Sequence, residues 1–379
     1  MNKVSFSKLF DFNKKSKRKS GDGLPKGDYP FYSSSSSISK YTSEPDYTFE
    51  RSLIFGTGGQ ASIHYREGSF STSGDCFVVT KQNEVQMHTK FAYYYFVGNM
   101  NILDQGFKGA GLKHISKAYI QEIKIPLLPL TEQKKIVAIL DAADSLRQKD
   151  RQLVGLYTAL SQSLFLEMFG DPVTNPMAWR KRKLEELTCL ITDGKHGDCS
   201  DEEGSGYFFI SAKDIRGEVI DYSKARQITK MDFEEVHRRT NLSAGDLVMV
   251  NTGATIGKIA IASESDRTEK TTFQKSVAVI KPKKDVLSTI FLKYVFLLRI
   301  KDFASKGSGS AIQNLLLSEM RRFEIISPKL ELQNQFAKRI QLIEAQKKQA
   351  QCSLAKSEAL FNSLLQRAFT GELTSKMAA

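Results

Sequence analysis

Between Thr131 and Phe169 the chain has no proline, and its only glycine is Gly155. Apolar or semi-apolar residues return there every three or four positions, at Ile136, Ile139, Ala143, Leu146, Leu153, Tyr157, Leu160 and Leu164, with Asp150 as the polar interruption. The spacing predicts one helix of about 39 residues, roughly 58 Å at ~1.5 Å per residue. A second stretch, from about Glu331 to Phe369, carries Phe336, Ile340, Ile343, Ala350, Leu354, Phe361 and Leu364 on one stripe, interrupted by Lys347 and Ser357. Apolar faces this narrow do not stabilise isolated helices in water, so the two are expected to pair as an antiparallel coiled coil along these seams. Tyr157→Asp or Leu160→Asp is then expected to break the pairing. Shorter apolar runs with strand character lie around the helices: Leu53–Phe55 and Cys76–Val79 early in the chain, then Tyr207–Ile210, Asp246–Val250, Ile259–Ile261 and Ser276–Ile280. Aromatic helices are expected around Phe91–Val97 and Thr289–Phe303.

The pattern occurs twice. Ile125, Leu130, Gln133, Ala159, Leu160, Ser163, Leu164 and Phe169 recur 200 positions later as Ile325, Leu330, Gln333, Ala359, Leu360, Ser363, Leu364 and Phe369. Upstream, Phe91, Tyr94 and Phe96 match Phe291, Tyr294 and Phe296, Gly109–Ile115 stands opposite Gly307–Leu315, and the turn at Thr57-Gly58 stands opposite Thr252-Gly253. Solenoid periods are roughly 20–50 residues, so this is duplication of a whole module. The expected fold is α+β, with two globular α/β domains alternating with two long helices in a pseudo-twofold arrangement. Its expected parts are a first domain at 1–127, a helix at 128–170, a linker at 171–178, a second domain at 179–327, a second helix at 328–373 and a tail at 374–379.

At 379 residues and 41% hydrophobic content the chain can bury two ordinary cores. Its formal net charge of +13 points toward an anionic partner, most often nucleic acid for a soluble protein. No apolar run approaches the ~20 residues of a membrane span, and the amino terminus lacks a signal-peptide core, so a cytoplasmic location and no membrane partner are expected. Cys76, Cys189, Cys199 and Cys352 are scattered without Cys-x-x-Cys spacing, which argues against disulfides and zinc, and no metal site is expected.

Enzyme signals are weak. Gly253-Ala-Thr-Ile-Gly257-Lys258 is one residue short of a phosphate loop and continues into Ile259. Pro45-Asp46 with Glu122-Ile-Lys124 has the residue types of a metal nuclease, but at a spacing that chance supplies. Asn175-Pro176 is followed by Met177, so the motif with which amino-methyltransferases hold a flipped base is absent.

Four segments in order carry a resemblance: Ile125-Pro-Leu-Leu-Pro129-Leu-Thr-Glu-Gln133 leading into the first helix, Phe169-Gly-Asp-Pro172 leaving it, Trp179 with Lys183-Leu184, and Gly245-Asp-Leu-Val-Met-Val-Asn-Thr-Gly-Ala-Thr-Ile-Gly257. Together they resemble the specificity subunit of type I restriction-modification systems over nearly the whole chain. Pro328-Lys-Leu-Glu-Leu-Gln333 departs from the first of them at the second helix. The resemblance implies a subunit that is not itself an enzyme and holds no cofactor. It would read double-stranded DNA with two target-recognition domains, one for each half of a split, asymmetric site. It would hold two methyltransferase subunits there, with translocating restriction subunits added for cleavage. S-adenosylmethionine, ATP and Mg2+ would then belong to those partners. The rival readings are a stand-alone sequence-specific DNA-binding or adaptor protein and an unrecognised metal-dependent endonuclease.

Base reading needs planar or cationic side chains in turns that approach a groove. The expected DNA-binding residues are Lys17, Arg18, Lys19, Lys113 and His114 in the first domain, with Gly58 and Gly111 allowing close approach. In the second they are Lys195, His196, Lys213, Arg216, Asn251, Lys306, Gln313 and Asn314. Lys17, Lys19 and Lys306 suit phosphates, whereas Arg216, Asn251, Gln313 and Asn314 suit base edges.

Overall fold

A computed structural model of the chain describes residues 2–299, 314–370 and 372–375. The chain forms two compact units, the first from residues 1–152 and 350–379 and the second from residues 153–349. Four helices organise them: α1 (Thr89–Gly98), α2 (Leu130–Phe169), α3 (Thr289–Leu298) and α4 (Leu330–Thr370). Each unit therefore contains part of both long helices.

In the first unit a six-stranded sheet runs in the order Phe10–Phe12, Cys76–Lys81, Tyr47–Gly56, Ser62–Thr72, Tyr29–Tyr32 and Lys40–Thr42. The pairs are antiparallel except that Tyr29–Tyr32 runs parallel to Ser62–Thr72. The central strand ends in Leu53-Ile54-Phe55, all at most 1% exposed, as expected for a strand covered on both faces. Phe6, Phe10, Phe55 and Phe96 stack and cross rings at 4.6–5.8 Å between sheet and α1. The early part of α2 (Ile136, Val137, Leu140, Ala143) and the late part of α4 (Phe361, Leu365, Ala368) complete this core.

The second unit has a four-stranded antiparallel sheet, Thr188–Asp193, Val277–Pro282, Leu247–Val250 and Ile259–Ile261, and a three-stranded one, Arg226–Gln227, Phe208–Ile210 and Thr271–Phe273. A helix over Lys230–Thr240, capped where Asp232 N–H donates to Thr229 Oγ1 at 3.2 Å, turns Phe233, Val236 and Thr240 inward. Phe165 and Phe169 of α2 and Phe336 of α4 meet Phe291 of α3 in one aromatic cluster, with centroids 4.8–5.6 Å apart.

The long helices pair antiparallel. In the first unit the Arg147 guanidinium lies 3.8 Å over the Phe361 ring, and one turn on, Arg151 reaches back to Glu358 at 2.6 Å. On α4 the expected stripe faces inward: Phe336, Ile340 and Phe361 are buried, and Ile343, Leu354 and Leu364 are half-buried. On α2 the expected face is corrected. Ile136 is buried, and Ile139, Tyr157 and Leu164 are half-buried, but Leu146, Leu153 and Leu160 are 46%, 40% and 50% exposed. The inward positions are Ile136, Val137, Leu140, Ala143, Ser161, Phe165 and Phe169, and the Arg147 guanidinium covers the Phe361 ring between them. A small Ser161 and a stacked arginine leave room for the rings of the facing elements, so hydrophobicity placed Ile136 and Ala143 correctly but Leu146, Leu153 and Leu160 on the wrong face.

Each unit is closed by the same two devices. A two-stranded clasp pairs Lys3–Ser5 with Lys124–Pro126, and its counterpart pairs Lys181–Lys183 with Glu324–Ile326. The second device is a fully buried glutamine in the first turn of each long helix. Gln133 Oε1 accepts from His88 N–H (2.7 Å), and its Nε2 donates to Gln86 O (3.0 Å) and Leu128 O (2.8 Å). Gln333 Oε1 accepts from Ser288 N–H (2.9 Å), and its Nε2 donates to Val286 O (3.2 Å) and Pro328 O (2.9 Å). One amide thus ties the start of the short aromatic helix to the start of the long one.

Candidate nucleic-acid interface

At the end of the first unit's sheet, four chain segments meet around Thr57. Thr57 N–H donates to Asp75 O at 2.9 Å, and Ile115 N–H donates to Thr57 O at 3.1 Å. Ser34 Oγ accepts from the N–H groups of Thr57 (3.0 Å) and Gly58 (3.2 Å) and donates to Asp75 O (2.6 Å). The His114 ring sits on this junction, with Nδ1 3.1 Å from Thr57 O, and a β-carbon on Gly58 would stand 3.2 Å from its Cε1. His64 Nε2 meets Ser35 O at 2.7 Å, and burial lowers the pKa of that imidazole below its ordinary value, which favours the neutral ring. Gly58, Lys113 and His114 are therefore brought together, and Gly111 stands nearby with open space around it.

The second unit builds the same junction from different residues. Asn251 N–H donates to Ser276 O at 3.0 Å, and Leu315 N–H donates to Asn251 O at 2.8 Å. The bridge between Thr252 and Asn314 repeats that between Gly58 and His114, and Thr252 Oγ1 donates to Asn314 Oδ1 at 3.0 Å. Structural equivalence is therefore Thr57 to Asn251 and Gly58 to Thr252, one residue earlier than the pairing read from sequence. What differs between copies is the side chain presented: His114 in one, Asn314 in the other. Asp75, Ser276 and Ser34 belong to the junction but carry no sequence signal, because they act there largely through carbonyls or one hydroxyl.

Three expected readers are spent inside the protein. Arg18 Nε donates to Asp46 at 2.8 Å, and Ser16 Oγ donates to the same carboxylate at 2.7 Å, so this pair fastens the 13–19 loop. Lys195 Nζ is held by Asp232 at 2.8 Å and Glu235 at 3.1 Å. Asn251 is 3% exposed, too deep to meet a base edge. Lys17, Lys19, Lys113, His196, Lys213 and Arg216 are exposed. Arg216 lies on a separate hairpin, Ile215–Arg216 with Val219–Ile220, whose turn residues Gly217 and Glu218 both have positive φ. Glu218 ties that turn to Lys293 of α3 and Lys347 of α4, while Arg216 Nε donates to Lys213 O at 2.7 Å. Lys306 and Gln313 lie outside the described residues.

The Lys195 clasp has a pH signature. Lys195, then Ser200 N–H, hold the Asp232 carboxyl down at about 2. Its folded pKa lies below the ordinary ~3.9, so the stabilisation is complete above that value and is lost as pH falls through about 2. Lys195→Met is expected to remove the largest part of it, leaving what Ser200 N–H and Thr229 supply. In urea unfolding, the variant should lose less stability than the parent between pH 5 and pH 2, and equal losses would show that the pair is not coupled to folding.

Among the described residues no helix is long and apolar enough to cross a membrane, and no three His, Cys, Asp or Glu side chains converge as a metal site. A family model described as "Type I restriction modification DNA specificity domain" matches residues 1–154 and again 176–351. The chain belongs to this family. Within the type I specificity family it is 22% identical over 366 residues to the Escherichia coli type I restriction enzyme EcoBI specificity subunit, covering 88% of this chain and 76% of the relative. The MjaVIII specificity subunit of Methanocaldococcus jannaschii is 22% identical over 363 residues, covering 89% and 85%. The solved type I specificity subunit from M. genitalium shares the fold at a TM-score of 0.62 and 16% identity, over 97% of this chain and 95% of that one.

Proposed function

We propose that this chain reads a split, asymmetric DNA sequence, one half-site per unit, and holds two methyltransferase subunits on it, with restriction subunits added for cleavage. The duplicated junction carries the reading: one backbone frame presents His114 in one copy and Asn314 in the other. Two different readers on the same frame favour two different half-sites over a palindrome. Exposed Lys17, Lys19 and Lys113 suit phosphates, and the net charge of +13 suits a polyanion. The chain supplies recognition, and S-adenosylmethionine, ATP and Mg2+ are assigned to its partners.

The partner surface is assigned to the outward face of α2, where Leu153, Leu156 and Leu160 are 40%, 58% and 50% exposed at helical spacing. The deciding experiment is single-molecule sequencing of methylated bases in cells carrying the chain with its methyltransferase, against cells lacking the chain. A split motif lost on deletion is expected, and methylation indifferent to the chain would overturn the proposal. Once the motif is known, Asn314→Ala is expected to relax one position of one half-site by about 1–3 kcal/mol of discrimination, leaving the other half-site unchanged. Binding-site selection reads this directly, and uniform weakening over all sequences would remove Asn314 from the reading role.

A further inference from the structure

We propose that Leu112 is a wedge that enters a base step in the half-site met by the first unit. The proposal rests on the DNA-reading function above. Leu112 sits in the loop of a short hairpin in which Phe107 pairs with Ile115 and Lys108 with His114. The base of that hairpin is rigidly mounted. Ile115 is 4% exposed and donates to Thr57 O, Gly59 N–H donates to Lys113 O at 3.1 Å, and Gly106 lies so close to the Tyr119 ring that a β-carbon there would be 2.4 Å away. The loop itself turns through Gly109, at φ +146°.

Leu112 is 76% exposed, more than any other large apolar side chain among the described residues of the unit. Exposed Lys108 and Lys113 flank it, and no carboxylate occurs from Gln105 to Lys117. The junction residues at the hairpin base, Gly58, Gly59 and Gln60, offer no apolar surface that would extend Leu112 into a protein-docking patch. An isolated aliphatic apex between two cations instead has the chemistry of a residue that unstacks neighbouring base pairs while its flanks hold phosphates. In the second half of the sequence Ile312 stands 200 positions on, again an aliphatic residue before a polar pair, Gln313-Asn314, though residues 311–313 lie outside the described structure.

The test uses the full chain in complex with its methyltransferase subunits and duplexes of the recognised motif carrying 2-aminopurine at each half-site position in turn. Binding is expected to raise fluorescence at one step distinct from the methylated base, with the rise lost in Leu112→Ala and kept in Leu112→Met. The salt dependence of binding should stay unchanged in both variants, because the lysines remain. A rise that persists in Leu112→Ala, or no rise anywhere while motif-specific binding is intact, overturns the wedge and leaves DNA reading standing. Absence of motif-specific binding by the parent complex overturns both.

Discussion

Replacing Gln333 by alanine is expected to destabilise the second unit by about 3–5 kcal/mol, because the groups it leaves behind are buried and polar. Gln333 is fully buried and satisfies one N–H and two carbonyls, those of Ser288, Val286 and Pro328. A buried group that loses its partner costs on the order of 1–3 kcal/mol, and water entering the vacated space recovers only part of the sum. Gln333→Glu keeps size and acceptor but cannot donate two hydrogen bonds, so it should cost about as much. Gln133→Ala should act in the same way on the first unit. Urea unfolding with hydrogen exchange across residues 286–299 measures the effect, and a loss below about 1 kcal/mol would mean that the amide is not what joins the two helix starts.

The double variant Leu153→Asp, Leu160→Asp is expected to leave the chain folded and to abolish its complex with methyltransferase. This reverses the outcome read from periodicity alone, in which Leu160→Asp breaks the helix pair. Both side chains are exposed, so a carboxylate there meets water in the free chain at little cost. In a complex that buries this face, each substitution forfeits about 2 kcal/mol of apolar burial and adds desolvation, so affinity falls by roughly 10³ or more. Size-exclusion chromatography of the co-expressed proteins, with thermal unfolding of the free chain, separates the cases. An unfolded variant would put the leucines back in the helix pair, and an intact complex would place the partner elsewhere.

Most of the architecture is legible in the chain because it is carried by repetition and periodicity. The 200-residue offset holds from the buried Gln133 and Gln333 to the matched helix starts at Leu130 and Leu330. The site is less legible, for a physical reason visible at Arg18 and Lys195. Their acidic partners lie 28 and 37 residues away, so nothing local distinguishes a free cation from one already paired. Asn251 fails differently: its turn is the right turn, but the residue serves through its backbone, and it is the next residue, Thr252, that bridges to the half-buried Asn314. On α2 the positions of Leu146, Leu153 and Leu160 mislead because leucine is the usual seam residue, whereas this pair turns Ser161 and Arg147 inward and leaves those three leucines outside.

The clasps at the two ends of each globular segment bring chain arrival and departure side by side. Lys3 pairs with Pro126 and Lys181 with Ile326, and outside these pairs Leu127 N–H still reaches Asn2 O and Ser327 N–H reaches Arg180 O. Strands so paired stand about 5 Å apart whatever lies between them. Every residue assigned to DNA contact in the proposed function is thus strung between two neighbouring points on a mount, like a bulb in a socket. Loops can lengthen, strands can be added and a whole segment can be exchanged for a foreign one without altering the geometry of the socket. The graft must be cut outside the clasp, and it must present the backbone groups that Gln133 or Gln333 grips. Under the proposed function, a protein built this way can acquire a new address in a single recombination event and keep its machinery unchanged.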